Sequence, residues 1–229
     1  MLCLVSHPDY DIPLPDGHRF PATKFSRIIA CLESDDILGA FERLTPEPAL
    51  PTDLAITQDP DYIAAIADGT LDQKSLRVLG LSWSQVLANR SFLAVNGTLL
   101  AARKALEFGL ACHAAGGTHH AHFAHGAGFC VFNDLAYTAV RLRCEGAVRQ
   151  VLILDCDVHQ GDGTARILQK YDEIFTCSVH CGKNYPARKA ASDLDVEIER
   201  GNGDAAYLAT LSNTLDRLTV LCPNPDLVL

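Results

Sequence analysis

The chain has 229 residues, of which 48% are hydrophobic, and it carries a formal net charge of −9. That length fits one α/β domain or two small ones. The acidic balance gives no attraction toward nucleic acid, and no apolar run reaches about 18 residues, so neither nucleic-acid contact nor a membrane span is expected. Nine scattered cysteines without a C-x-x-C pair, and no recognisable secretory signal, predict a cytoplasmic protein with reduced thiols.

Short elements and one long loop make up the N-terminal part. Residues 2–6 predict a strand, and the Pro- and His-rich residues 7–21 predict a loop. Residues 22–33 fit a helix with apolar side chains on one face. Residues 53–57 are interpreted as a strand, and the following D-P-D-Y-I stretch predicts a helix that starts near Pro60.

The middle of the chain is dominated by one long helical pattern. It runs from about 82 to 108, is interrupted at Asn96-Gly97 and stops at Gly109. A strand is predicted over 110–114 and a further helix over 134–144.

Strands and helices alternate in the C-terminal part. Strands are predicted at 151–154, 174–180 and 226–229, and the segment 181–202 is interpreted as charged and irregular. Helices are predicted at about 164–170 and 204–221, the second with a stripe of leucines. This alternation predicts an α/β fold with a parallel sheet flanked by helices, forming a single domain over 1–229.

Three polar side chains follow the apolar run 151–154 at alternate positions: Asp155, Asp157 and His159. If strand geometry continues that far, all three lie on one side. Burying such groups costs several kcal/mol unless a partner compensates, and Asp157 with His159 suits a divalent metal such as zinc. Sites in open α/β sheets lie at the carboxyl ends of strands, where this segment is expected.

A histidine cluster occupies 116–134, which reads G-G-T-H-H-A-H-F-A-H-G-A-G-F-C-V-F-N-D. The adjacent His119 and His120 suggest a pair that divides proton transfer, each ring oriented by a carboxylate. The carboxylates left for this role are Asp155 and Asp162. His122 and His125 have no such partners and are weaker candidates.

These motifs together resemble the histone deacetylase family, in the arginase/deacetylase fold, and specifically its bacterial and class IV-like branch. The matching segments, in the family's order, are H-P-D-Y, G-H-R-F-P, D-P-D-Y-I, G-G-T-H-H-A, G-F-C-V-F-N-D, D-C-D-V-H-Q-G-D-G-T and S-V-H. The resemblance implies a metal-dependent hydrolase whose substrate is an acetylated lysine in a protein or a small acylated amine.

The same resemblance implies roles for individual residues. Asp157 and His159 match two ligands of one divalent metal, usually Zn²⁺. The residues that match the catalytic histidine pair and their respective carboxylate partners are His119 with Asp155, and His120 with Asp162.

Further matches concern the substrate and a second ion. Phe129 matches one wall of an acyl-lysine tunnel and Tyr185 the other, Gly117 matches a residue whose carbonyl faces the channel, and Arg19 resembles an arginine beside an internal acetate cavity. The residues that resemble a structural monovalent-cation site, usually K⁺, are Ser178 and Val179 with the backbone carbonyls of Asp155, Asp157 and His159.

Two parts of the family pattern have no match. They are a third metal ligand, an aspartate after a strand, and a tyrosine after Gly-Gly that holds the oxyanion. Asp226 precedes its strand and is therefore at the wrong end to replace the ligand. We expect the chain to be a deacetylase domain that is incomplete at its C-terminus, with little activity of its own and marginal stability.

Two alternatives stay open at this point. Arginase-like hydrolysis at a two-metal site needs a carboxylate two positions after the ligand histidine, where this chain has Gly161, so one metal is favoured. The other alternative is a catalytically incomplete, deacetylase-like binding protein.

Overall fold

The computed structural model describes residues 1–229 and divides into two compact units, Met1–Arg141 and Leu142–Leu229. None of its helices has both the length and the hydropathy that are needed to cross a membrane. Each unit contains a parallel sheet of its own, so the predicted α/β class with parallel strands flanked by helices is confirmed.

The first unit has a three-stranded parallel sheet in the order β2-β1-β3, accompanied by helices. Its strands are β1 (Leu2–Val5), β2 (Phe41–Leu44) and β3 (Ala111–His113). Its helices are α1 (Lys24–Ser34), α2 (Pro51–Leu54), α3 (Pro60–Asp68), α4 (Gln73–Leu79), α5 (Gln85–Phe108) and the start of α6 (Asp134–Cys144).

The long helix α5 is the largest element of this unit. The Ser84 side chain caps it by accepting a hydrogen bond from the Leu87 amide at 3.1 Å, and Gly109 ends it in the left-handed conformation. The helix runs without a break through Asn96-Gly97, where only the apolar pattern of the sequence is interrupted. Burial of most of its residues outweighs the weak helix propensity of one glycine.

Three other elements of this unit differ from the expectation. The segment predicted as a strand over 53–57 instead begins within α2, because Pro51 at the first helical position favours a helical turn. The edge strand β2 and the helix α4 were not predicted. The start and end signals of α4 are nevertheless present, since Asp72 caps it and Gly80 ends it.

The second unit has a four-stranded parallel sheet in the order β6-β5-β4-β7. Its strands are β4 (Val151–Asp155), β5 (Ile174–Cys181), β6 (Leu194–Ile198) and β7 (Leu227–Val228), and its helices are α7 (Asp162–Leu168) and α8 (Asp204–Leu221). The buried residues that join α8 to the sheet are Leu152, Cys177, Val179, Leu194, Leu218 and Cys222.

This unit departs from the sequence-based expectation in two elements. The strand β6 lies inside the segment interpreted as irregular, where Leu194, Val196 and Ile198 alternate with acidic residues and pair with β5. The predicted leucine stripe of α8 is buried only in part, because Leu208 and Leu215 are 60% and 46% exposed.

Candidate active site

The adjacent histidines of the predicted catalytic pair lie on a loop, 116–121, that follows β3. His119 and His120 are only 7% and 4% exposed, and their ring centroids are 4.1 Å apart. Two imidazoles at this separation are close enough to exchange protons with the same reacting group.

Asp134, the first residue of α6, and Asn133, the residue before it, hold this loop from both sides. Asp134, which is fully buried, accepts hydrogen bonds from the amides of Gly117 at 2.9 Å and Thr118 at 2.7 Å. Asn133 donates from its amide nitrogen to the Ala121 carbonyl at 3.0 Å, and its oxygen caps α6. The two histidines therefore lie between two anchored ends.

Close packing fixes the loop further. The carbonyl of Gly117, predicted to face the substrate, accepts a hydrogen bond from the His119 amide at 2.9 Å. Gly128 lies against the second imidazole, since a β-carbon at Gly128 would be 2.6 Å from Cδ2 of His120. The His120 ring therefore has little room to change its orientation on that side.

Phe129, the predicted tunnel wall, has a strained backbone. Its φ of +68° is unusual for a bulky residue. Its amide donates to the Leu79 carbonyl at 2.8 Å, and its ring lies 5.7 Å from the ring of His18 and 5.6 Å from that of Phe20. The loop 7–21 thus packs around Phe129. Arg19 of the same loop is exposed, and its predicted place beside an internal cavity stays a prediction.

The predicted metal ligands belong to the second unit. The strand β4 ends at Asp155, so Asp157 and His159 lie in the irregular segment 156–161, and their expected placement by strand alternation is wrong. They are nevertheless together, because Asp157 Oδ1 is 2.9 Å from His159 Nδ1 and accepts from the His159 amide at 2.8 Å. Tyr185 lies beside them, with its ring centroid 6.0 Å from that of His159.

This donor pair fits one edge of a zinc site. Two ligand atoms bound to one tetrahedral zinc ion lie about 3.3 Å apart, close to the 2.9 Å between Asp157 Oδ1 and His159 Nδ1. The structure contains no group of three or more metal-binding side chains. Asp157 and His159 would therefore supply two of the donors of such a site, and their role as ligands stays a prediction.

The predicted carboxylate partners and the predicted potassium site lie next to this segment. Asp155, the last residue of β4, accepts a hydrogen bond from the Asp157 amide at 3.0 Å, while Asp162 is the buried first residue of α7. Ser178 is the β5 neighbour of Asp155, and its hydroxyl is 3.0 Å from His180 Nδ1. The roles of these residues stay predictions.

Asp226 is engaged at the opposite end of β4. Its Oδ2 accepts hydrogen bonds from the amides of Arg149 and Gln150 at 2.7 Å and 3.0 Å, just before the strand begins. Hydrogen bonds from the backbone of Gln150 and Arg149 hold the pKa of Asp226 below its usual range. Asp226 thus binds backbone amides at the amino end of β4, away from the carboxyl end of the sheet.

Known proteins are similar to most of this chain. The histone deacetylase domain matches residues 18–229. The chain belongs to the histone deacetylase family. This membership supports a deacetylase function in general terms.

Individual relatives differ in how much of their length the chain covers. An uncharacterised protein of Picosynechococcus is 43% identical over 98% of the chain and 75% of its own length. Histone deacetylase 2 of Arabidopsis thaliana is 28% identical over 87% of the chain, which spans about half (54%) of that relative.

Solved structures show the same fold. The crystal structure of a histone deacetylase homologue from Aquifex aeolicus superposes with a TM-score of 0.80 at 20% identity, over 99% of this chain and 67% of that one. The fold expected from the resemblance is confirmed.

Sequence reasoning missed the residues that hold the histidine loop. Asn133 and Asp134 belong to the G-F-C-V-F-N-D motif, but the sequence alone predicted no role for them. The available signal was their place at the predicted start of α6, where Asn and Asp side chains commonly satisfy backbone amides.

Proposed function

We propose that this protein is a metal-dependent deacetylase that hydrolyses acetyl-lysine in a protein or a related acylated amine. The observation that carries the proposal is the buried pair His119 and His120 on a loop anchored at both ends by Asn133 and Asp134. A surface loop with solvated histidines would need no such anchoring. The pairing of Asp157 with His159 supports the metal requirement.

The chain's own residues supply proton transfer and positioning. One neutral imidazole of the His119–His120 pair takes a proton from the attacking water, and the other delivers a proton to the departing amine. Burial keeps bulk water from competing for these protons. The predicted orientation of the two rings by Asp155 and Asp162 belongs to this proposal.

The metal proposed here is zinc, and K⁺ is proposed as a structural ion. When bound, zinc polarises the acyl carbonyl and makes a bound water a better nucleophile. Asp157 Oδ1 and His159 Nδ1 would hold it. Phe129 and Tyr185 are proposed to line the acyl chain, Gly117 to contact it, and Arg19 to act near the acetate.

A second candidate is a deacetylase-like binding protein. It is favoured by one observation, namely that metal-binding side chains do not form a group of three in the structure. In that case acetylated ligands bind without turnover. Cytoplasmic location is proposed for either function.

Turnover measurements separate the candidates. The chain 1–229, and the same chain extended by the family's C-terminal segment, are supplied with zinc and an acetyl-lysine peptide, an acetylated polyamine or arginine. Release of free amine from an acetylated substrate is expected, with His120→Ala lowering turnover by about 10²–10⁴-fold. Calorimetric binding of the peptide without turnover in either form would favour the binding protein, and urea release from arginine would contradict both candidates.

A further inference from the structure

A line of hydrogen-bonded side chains runs through the first unit to the anchored histidine loop. Tyr10 Oη is 2.7 Å from His113 Nε2, and His113 Nδ1 is 2.9 Å from Thr98 Oγ1. Thr98 Oγ1 donates to Asp134 Oδ2 at 2.5 Å. Asp134 is the carboxylate that accepts from the amides of Gly117 and Thr118. The line thus joins the loop 7–21, α5, β3 and α6.

Asp134, the acceptor at one end of the line, determines which group donates in each of these hydrogen bonds. An ionised Asp134 only accepts, so the single hydroxyl hydrogen of Thr98 points to Asp134. The oxygen of Thr98 then accepts from Nδ1–H of His113, which leaves Nε2 to accept from the Tyr10 hydroxyl. One tautomer of a neutral imidazole satisfies both neighbours, and such aligned bonds reinforce one another.

The surroundings of His113 favour that neutral form. The pKa of His113 is lowered to about 4, mainly by burial; the Asp134 carboxylate opposes this shift and the Arg90 guanidinium adds to it. Tyr10 and Thr98 are themselves only 1% and 7% exposed. Water therefore offers little competition for these hydrogen bonds.

Two glycines make the line possible by leaving space beside it. A β-carbon at Gly97 of α5 would lie 2.5 Å from His113 Nε2 and would also collide with Tyr10 Oη. A β-carbon at Gly116 would lie 2.6 Å from Asp134 Oδ2 and 2.7 Å from Thr98 Oγ1. Gly116 also has a φ of +90°, which glycine adopts without strain.

We propose that Tyr10, His113 and Thr98 are positioning residues, which act through Asp134 to set the place of the loop that carries His119 and His120. The inference rests on the proposed function, since it assigns these residues to the same reaction. None of the three is proposed to touch the substrate.

These residues can act on the loop because the Asp134 carboxylate contacts both Thr98 and the loop amides. The Gly117 amide and the Thr98 hydroxyl share Oδ2 of Asp134, while the Thr118 amide contacts Oδ1. Without the Thr98 hydroxyl, the carboxylate loses one of the contacts that fix its rotation, and both loop amides follow it. A displacement of about 1 Å at a reacting group costs up to about 100-fold in rate, so a smaller shift is expected to cost about 10-fold.

Thr98→Val tests the proposal because it removes the hydroxyl and keeps the shape. Its matched control is Thr138→Val, which removes a fully buried hydroxyl that has no hydrogen-bond partner. With acetyl-lysine peptide and zinc, Thr98→Val should lower kcat about 10-fold and leave KM within about twofold. Thr98→Ser should restore kcat, and Thr138→Val should match the unmodified chain.

A second measurement needs no turnover. Imidazole NMR signals of ¹⁵N-histidine-labelled chain report the surroundings of His119 and His120, and they should move in Thr98→Val but not in Thr138→Val. If neither the chain 1–229 nor its extended form shows turnover, the proposed function fails, and these signals still decide the positioning role. Thr98→Val with unchanged kcat per folded molecule, or with unmoved His119 and His120 signals, would overturn the inference.

Discussion

The histidine loop 116–121 and the segment 156–161 carry the predicted proton-transfer and metal-binding side chains, and they are held in different ways. His119 and His120 are 7% and 4% exposed, and the loop that carries them is anchored by buried side chains of α6. The side chains of Asp157 and His159 are 50% and 37% exposed, and the contacts seen between them are local.

The difference agrees with the role proposed for each group. Proton transfer depends on a fixed distance, and a buried network preserves that distance before any ligand arrives. An exposed carboxylate and a neighbouring imidazole stay hydrated until a bound ion displaces the water. We therefore expect the ion to fix part of the conformation of these side chains. One region is therefore pre-organised by the fold, and the other is expected to gain order from the proposed ion.

The largest expected effect comes from weakening the anchor of the histidine loop. Asp134→Asn places an amide group where two hydrogen-bond acceptors stood, so buried donors of Gly117, Thr118 or Thr98 lose a partner. An unsatisfied buried donor costs about 1–3 kcal/mol, and we expect a loss of about 3 kcal/mol in the free energy of unfolding. Urea unfolding followed by the fluorescence of Trp83, the single tryptophan, reports on this unit.

The control for that change is Asp61→Asn. Asp61 is exposed and also lies in the first turn of a helix, α3. The substitution therefore removes the same favourable interaction between a carboxylate and a helix N-terminus. An unfolding midpoint of Asp134→Asn no lower than that of Asp61→Asn would show that the anchor contributes nothing.

The sequence predicted the elements whose boundaries are marked by caps or strong periodicity. The bounds of α6 and α8 are as predicted, and α3 begins at Pro60 behind the capping side chain of Asp59. The strand β6 was missed because a five-residue alternation is a weak signal inside a charged segment. Its place in the sheet depends on pairing with β5, which sequence periodicity does not contain.

The site residues also divide into those that the sequence predicted and those that it did not. His119, His120, Asp157 and His159 were found because several metal-binding or basic side chains stand close together in the sequence. The line from Tyr10 to Asp134 was not predicted, since hydrogen-bonded neighbours along it are separated by up to 103 residues in the sequence. Only the fold brings Tyr10, His113 and Thr98 together.

A smaller effect is expected from substitutions in the segment 156–161. Asp157→Asn replaces a carboxylate by a weaker amide oxygen, and His159→Ala removes an imidazole. Each should weaken zinc binding by at least about 10-fold, while leaving the unfolding of the first unit unchanged. Isothermal titration of the chain with zinc chloride measures the affinity. Asp172→Asn, an exposed change in the same unit, serves as the control. Affinities of both variants equal to that of the control would remove Asp157 and His159 from the site.

The smallest effect concerns acid stability of the pre-organised region. The pKa of His113 is lowered to about 4 by burial, with Arg90 acting in the same direction and Asp134 against it. As the pH falls from about 6.5 to about 4, the unfolded chain therefore takes up this proton while the folded chain does not. The contribution of His113 is complete above about pH 6.5 and is lost through that interval.

The full change in pKa corresponds to roughly 3 kcal/mol, and partial exposure of His113 reduces this to about 1 kcal/mol. His113→Asn keeps a donor near the Nδ1 position and removes the titrating group. The difference in unfolding free energy between the unmodified chain and this variant, measured with Trp83 fluorescence at pH 7.0 and 4.5, should change by about 1 kcal/mol in favour of the variant at the lower pH. A difference that is the same at both pH values would mean that His113 is not held neutral by the fold, and the directed line of hydrogen bonds from Tyr10 to Asp134 would lose its central link.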